Sequence, residues 1–165
     1  MPQLSIWEKE SFFVPQDVII IGSGFVGLWS ALHIKLLNPS YKITILEKGI
    51  IPTGASTRNA GFSCFGSPSE LLHDATTMGE DKMWQLVAMR YKGLMEIQKY
   101  FTSGEIGYDA NGGFECFSRL SPDWEECQQK LGWLNAGMEK LTGIPNTFAV
   151  ADEKLLKWVL TVWII

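Results

Sequence analysis

Six consecutive residues, Gly22-Ser23-Gly24-Phe25-Val26-Gly27, define the sharpest chemistry in this 165-residue chain. The first glycine permits a tight turn, the third residue lets backbone N–H groups approach a pyrophosphate, and the sixth allows a helix to pack close to a sheet. Unpaired N–H groups and the positive end of the helix dipole then face the phosphates. Glu47 follows Gly27 by twenty residues, the distance at which a carboxylate closing a second strand accepts both hydroxyls of an adenosine ribose and disfavours a 2′-phosphate. Lys48 stands next to it. Together these residues point to a dinucleotide site, with FAD and NAD both open at this stage.

The motif needs a strand before it and a helix after it, and the sequence supplies both. Residues 17–21 (DVIII) form a short, β-branched apolar run, the pattern of a parallel strand covered on both faces. Residues 25–37 (FVGLWSALHIKLL) are helix-forming and end at Asn38-Pro39, and residues 41–46 (YKITIL) again look like a strand. The fold class that follows is α/β: a Rossmann-like βαβ unit, with further helices and the start of an α+β domain behind it.

Beyond this unit, residues 50–66 read as a long ordered loop. Ser67-Pro68-Ser69-Glu70 has the form of a capping box opening a helix. A second helix is expected over 80–101 and a third from Ser121-Pro122-Asp123 to about Leu141, with Asp123 and Glu125 in its first turn. Asn111-Gly112-Gly113 between two strand-like runs in 106–117 predicts a hairpin or tight strand entry. Residues 147–151 are expected as a strand, with a helix capped by Asp152 after it. The organisation expected is an N-terminal arm (1–16), the βαβ unit with its loop (17–66), and a helical segment with part of a second domain (67–165).

Composition removes several function classes. Hydrophobic residues are 46% and charged residues 19% of the chain, as in a folded globular protein. A net charge of -4 without a basic cluster gives no attraction for nucleic acid. Cys64, Cys116 and Cys127 include no CxxC pair, so no disulfide framework or zinc site is expected and three buried thiols are the simplest reading. His33 and His73 have no acid or cysteine at ligand spacing and read as structural or surface residues, so no metal is expected. The first sixteen residues lack the pattern of a signal peptide, and the apolar stretch LLKWVLTVWII is too short to span a bilayer. A cytoplasmic location is the default expectation.

The extended string GSGFVGLWSAL (residues 22–32) and the loop GASTRNAGF (residues 54–62) resemble the D-amino-acid oxidase-like family of FAD-dependent oxidoreductases. The loop is the more discriminating, being similar to a GAS-x-RN-x-G segment of amine and amino-acid oxidases. The resemblance implies FAD as cofactor, with Ser56, Arg58, Asn59, Ala60 and Gly61 lining the flavin. Arg58 would balance phosphate charge or that of a reduced flavin. Cys64, three residues past Gly61, would also lie near the flavin, with burial rather than covalent attachment its expected role. The reaction implied is oxidation of an amine or amino acid: hydride passes from the substrate carbon to flavin N5, the imine hydrolyses, and oxygen or another acceptor takes the electrons.

Members of that family are typically more than twice this length, and residues 112–117 (GGFECF) look like an early strand of their substrate domain. The chain is therefore expected to be an N-terminal portion, with no catalytic acid or base nameable. The apolar tail WVLTVWII (residues 158–165) is expected to favour self-association or a partner chain. The competing expectation is a non-catalytic nucleotide-binding fragment or a subunit completed by another chain.

Overall fold

A computed structural model describes residues 3–118 and 121–151. The expected helix after Asp152 and the apolar tail lie outside the described residues. The chain divides into two compact units, Met1–Phe62 and Ser63–Ile165.

The first unit runs α1 (Ile6–Glu10), β1 (Val18–Ile21), α2 (Phe25–Leu37), β2 (Ile43–Leu46) and a 3-10 turn at Ala55–Thr57. Strands β1 and β2 pair in parallel with Val18 opposite Ile43 and Ile21 opposite Leu46. A parallel pair needs a crossover, and α2 provides it. Asn38 closes α2 by donating its N–H to Ile34 O, and Pro39 cannot continue the helix. Asp17 accepts the backbone N–H of Lys42 at 2.7 Å, which pins the start of one strand beside the other. Coverage of β1 on both faces is not found: its side chains alternate between half-buried and exposed, with Ile19 and Ile21 exposed. Alternation along a strand turns these two away from the face bearing Val18 and Ile20.

The second unit holds the buried core. Helices α3 (Pro68–Met78), α4 (Glu80–Tyr100), α5 (Ser103–Ile106) and α6 (Pro122–Thr142) follow in order. Leu71 and Leu72 of α3, Met83 and Val87 of α4, and Cys127, Leu134 and Met138 of α6 form one cluster with Phe65, Phe117 and Phe148. Gly143, at φ 74°, ends α6 in the left-handed conformation that a side chain disfavours. No helix among the described residues is long and apolar enough to cross a membrane.

Several expectations fail here for identifiable reasons. Ser67 is the N-cap of α3, but no capping box forms there. Glu70 instead pairs with Arg90 at 2.9 Å, and the Ser67 hydroxyl donates to Glu115. Glu115 also accepts the Ser69 N–H and hydroxyl, so a distant carboxylate neutralises the start of α3. Capping boxes form at Ser5–Glu8 and Thr102–Glu105. Residues 106–117 make no hairpin: Ile106 ends α5, and Gly112 at φ 72° turns a chain that forms no strand on either side. The expected 112–117 strand is likewise absent, because Glu115 serves α3 and Phe117 packs on Trp124 of α6. Residues 147–151 show only an isolated bridge at Val150. There the Asn135 side-chain amide takes both backbone groups of Phe148, at 2.8 and 2.9 Å, in place of a strand partner. Of the three cysteines only Cys127 is buried; Cys64 and Cys116 are exposed.

Gly27 is where α2 meets β1. A Cβ at this position would sit well inside contact distance of Gly22 O and 3.3 Å from Ile20 Cγ2. Gly27→Val is expected to destabilise the first unit by about 1–3 kcal/mol, as overpacking does. Urea unfolding followed by hydrogen exchange of the β1 and β2 amides measures this; unchanged protection would contradict it.

Candidate cofactor site

The site is built at the junction of β1 and α2. Gly22 takes φ +98°, a conformation suited to glycine, and donates its N–H to Leu46 O at 2.7 Å. The chain therefore leaves β1 still tied to the end of β2 and turns directly into the helix. Gly24 is the N-cap of α2 and brings no side-chain cap of its own. Leu28 N–H makes the first helical bond, to Gly24 O at 3.0 Å.

Four N–H groups begin any α-helix without an intrahelical partner. In α2 the Phe25 N–H donates to Ser56 Oγ at 2.9 Å. The N–H groups of Gly24, Val26 and Gly27 have no hydrogen-bond partner among the described residues. The turn thus presents three open donors at the positive end of a thirteen-residue helix, a fit for phosphate oxygens. A Cβ on Gly24 would come within 3.0 Å of Ser56 Oγ, so the glycine is what lets the loop hydroxyl reach the helix start.

Glu47 lies at the end of β2 and turns back to the same place. Its Oε2 accepts the Ser23 N–H at 2.9 Å and the Ser23 hydroxyl at 2.8 Å, while Oε1 accepts the Gly49 N–H at 3.2 Å. The Ser23 backbone bond, then its hydroxyl, then the Gly49 bond lower the carboxyl from an ordinary 4.5 to about 2. Glu47 is consequently an anion throughout the physiological range. An ionised carboxylate only accepts, which suits it to sugar hydroxyls.

The loop after β2 is shaped by its own polar side chains. Thr57 Oγ1 donates to Pro52 O at 2.9 Å, and Asn59 Nδ2 donates to Ser56 O at 3.0 Å while its Oδ1 accepts the Gly61 N–H at 2.7 Å. Asn59 therefore spends its amide on the loop itself. Arg58 is exposed; its N–H donates to Ala55 O at 3.2 Å, and its guanidinium has no hydrogen bond or ion pair among the described residues. Lys48, Ala60 and Gly61 are also exposed, and none is bonded to the glycine turn.

Hydrogen bonds thus connect Gly22–Gly27, Glu47 and Ser56 into one constellation. Two parts of it escaped sequence reasoning: the Ser23 hydroxyl as a brace for Glu47, and Ser56 as the cap of α2. The pairs lie 24 and 31 residues apart, and no local period or capping signal reaches that far. In the second unit, Cys127 is pushed up to about 12 by burial, with Glu115, Glu126 and Asp123 adding to the effect, which leaves an unreactive thiol. His33 lies against Trp29 with ring centroids 5.5 Å apart, and Thr77 Oγ1 stands 3.4 Å from His73 Nε2.

The sequence profile of the family of FAD dependent oxidoreductases designated DAO matches residues 17–156. The chain belongs to this family. No curated protein and no solved structure matches the chain.

The Glu47 geometry carries a pH dependence. With the folded carboxyl near 2 and the unfolded one near 4.5, its bonds to Ser23 and Gly49 contribute fully above about pH 4.5 and are lost as pH falls through about 2. A carbon-13 NMR titration of the Glu47 carboxyl is expected to give a midpoint near 2. A midpoint at the ordinary value would contradict these bonds.

Proposed function

We propose that the chain binds FAD at the glycine turn and serves FAD-dependent oxidation of an amine or amino acid. The observation that carries this reading is the set of three open N–H donors on Gly24, Val26 and Gly27. They would take the pyrophosphate, with Gly22 and Gly24 giving it close approach. Glu47, already ionised, would accept from the adenosine ribose. Lys48, exposed and next to Glu47, would stand on the adenosine side of the site.

FAD is favoured over NAD by the loop. Ser56 ties residues 54–61 to the start of α2, so a ligand lying on the turn extends along Ser56, Arg58, Asn59, Ala60 and Gly61. Arg58 has an uncommitted positive charge for phosphate or for the anion of a reduced ring. The substrate class rests on the likeness of GASTRNAGF to the corresponding loop of amine and amino-acid oxidases. Bound FAD would supply the two-electron acceptor that such an oxidation requires.

A second reading, binding without turnover by this chain alone, is favoured by one observation. The described core contains no buried polar or charged side chain, and thus no desolvated acid or base of the kind that carries proton transfer.

Absorption spectroscopy separates these readings. The purified chain, reconstituted with FAD, is expected to be yellow with an oxidised-flavin spectrum, and an amine or amino-acid substrate is expected to bleach it anaerobically. Persistence of the yellow colour with every such substrate would select binding without turnover. Colourless protein that ignores added FAD would overturn the proposal.

A further inference from the structure

A cavity of about 770 Å³ opens in the first unit, within the roughly 300–1,000 Å³ of small-molecule sites. It lies between residues 10–16, the second half of α2 and the start of β2. The glycine turn and Glu47 follow the last residues of β1 and β2, whereas Tyr41 and Lys42, which line the cavity, precede β2. The cavity is thus set at the other ends of the strands from the crevice in which an open α/β sheet holds its nucleotide.

Its floor is apolar. Val14, Ala31, Leu32, Ile43 and Ile45 line it, and each is half-buried. One wall is fastened to the sheet by Gln16, whose Oε1 accepts the Thr44 hydroxyl at 2.9 Å and whose Nε2 donates to Val14 O at 2.8 Å. The rim is cationic. Lys35 Nζ donates to Tyr41 O at 2.7 Å, which leaves two of its three N–H donors open. Lys42 uses its backbone N–H on Asp17 and has no side-chain hydrogen bond among the described residues. Glu10 is the one acid lining the cavity, and neither lysine pairs with it or with another carboxylate among the described residues. Lys35 stands in the last turn of α2, where its charge also complements the helix dipole. Lys42 precedes β2 and serves no helix end, so two cations over one acid leave a positive rim above an apolar floor.

We propose that this cavity binds a free amphiphile of the fatty-carboxylate class, its aliphatic chain on the Val14, Leu32, Ile43 and Ile45 floor and its carboxylate between the Lys35 and Lys42 ammonium groups. The charge on the rim selects the sign of the head, because a cationic head of the same size meets two like charges and a neutral one forgoes the charge-assisted hydrogen bonds. The floor selects an apolar body. Such a site is independent of FAD binding, since none of its lining residues belongs to the glycine turn, to Glu47 or to the 54–61 loop.

Amide NMR titration of the intact chain with octanoate, octanol and octyltrimethylammonium tests the proposal. Octanoate is expected to give saturable shifts at Val14, Leu32, Lys35 and Ile43, with octanol roughly three- to tenfold weaker and the cation weaker still. Lys35→Gln and Lys42→Gln, both changes at exposed side chains, are each expected to weaken octanoate, and the double variant is expected to bind it no better than octanol. FAD titration of the same variants is expected to match the wild type. Octanol or the cation binding as tightly as octanoate, no saturable shift at these amides, or octanoate affinity unchanged in the double variant would overturn the proposal. Shifts of the same amides on dilution of the chain alone would place a second copy in the cavity, and would overturn it too. Failure of FAD to bind would leave this cavity untouched and strike only the proposed function.

Discussion

The close approach of α2 to β1 is the constraint on which the first unit depends. Gly22 O, Gly27 and the Ile20 side chain share a space with no room for a further carbon at residue 27. The helix therefore starts close against the strand that precedes it. The Gly22 N–H meanwhile holds the end of β2 alongside. Glu47 therefore arrives beside the helix start by the same geometry that makes the helix start available. The open helix donors and the Glu47 acceptor come from one packing event.

Electrostatics at this junction are complementary by construction. A helix N-terminus bears partial positive charge, and Glu47 is held as an anion by the turn that precedes that helix. Ser56 caps one donor and leaves three open, so the loop is joined to the site without filling it. A ligand with a pyrophosphate and a ribose meets donors and an acceptor already in place, which lowers the ordering cost of binding.

The helices and the glycine turn were legible in the sequence because their signals are local. Phe25 to Leu37 is bounded by a glycine N-cap and by Asn38-Pro39, and the observed helix has those ends. The third long helix begins after Ser121 and stops at Gly143 for equally local reasons. Two short helices with local capping boxes, Ile6–Glu10 and Ser103–Ile106, went unread, and the other failures depended on distant partners. The Ser67–Glu70 pattern formed no box because Arg90 claimed Glu70 and Glu115 claimed Ser67. The apolar stretches around Asn111-Gly112-Gly113 and Phe148 formed no strands because a strand needs a pairing edge. Glu115 and Asn135 supplied other partners first. Within the site, the glycines and Glu47 were readable from spacing, while the Ser23 brace and the Ser56 cap depended on contacts that spacing does not encode.

On the proposed function, the start of α2 receives the phosphates of a dinucleotide. Titration of nitrogen-15-labelled protein with FAD, followed by amide NMR, tests this most directly. The largest shifts are expected at the Val26 and Gly27 amides, with Ser23 and Gly49 moving as Glu47 takes up the ribose. Saturable shifts confined to other residues, with Val26 and Gly27 unmoved, would contradict it.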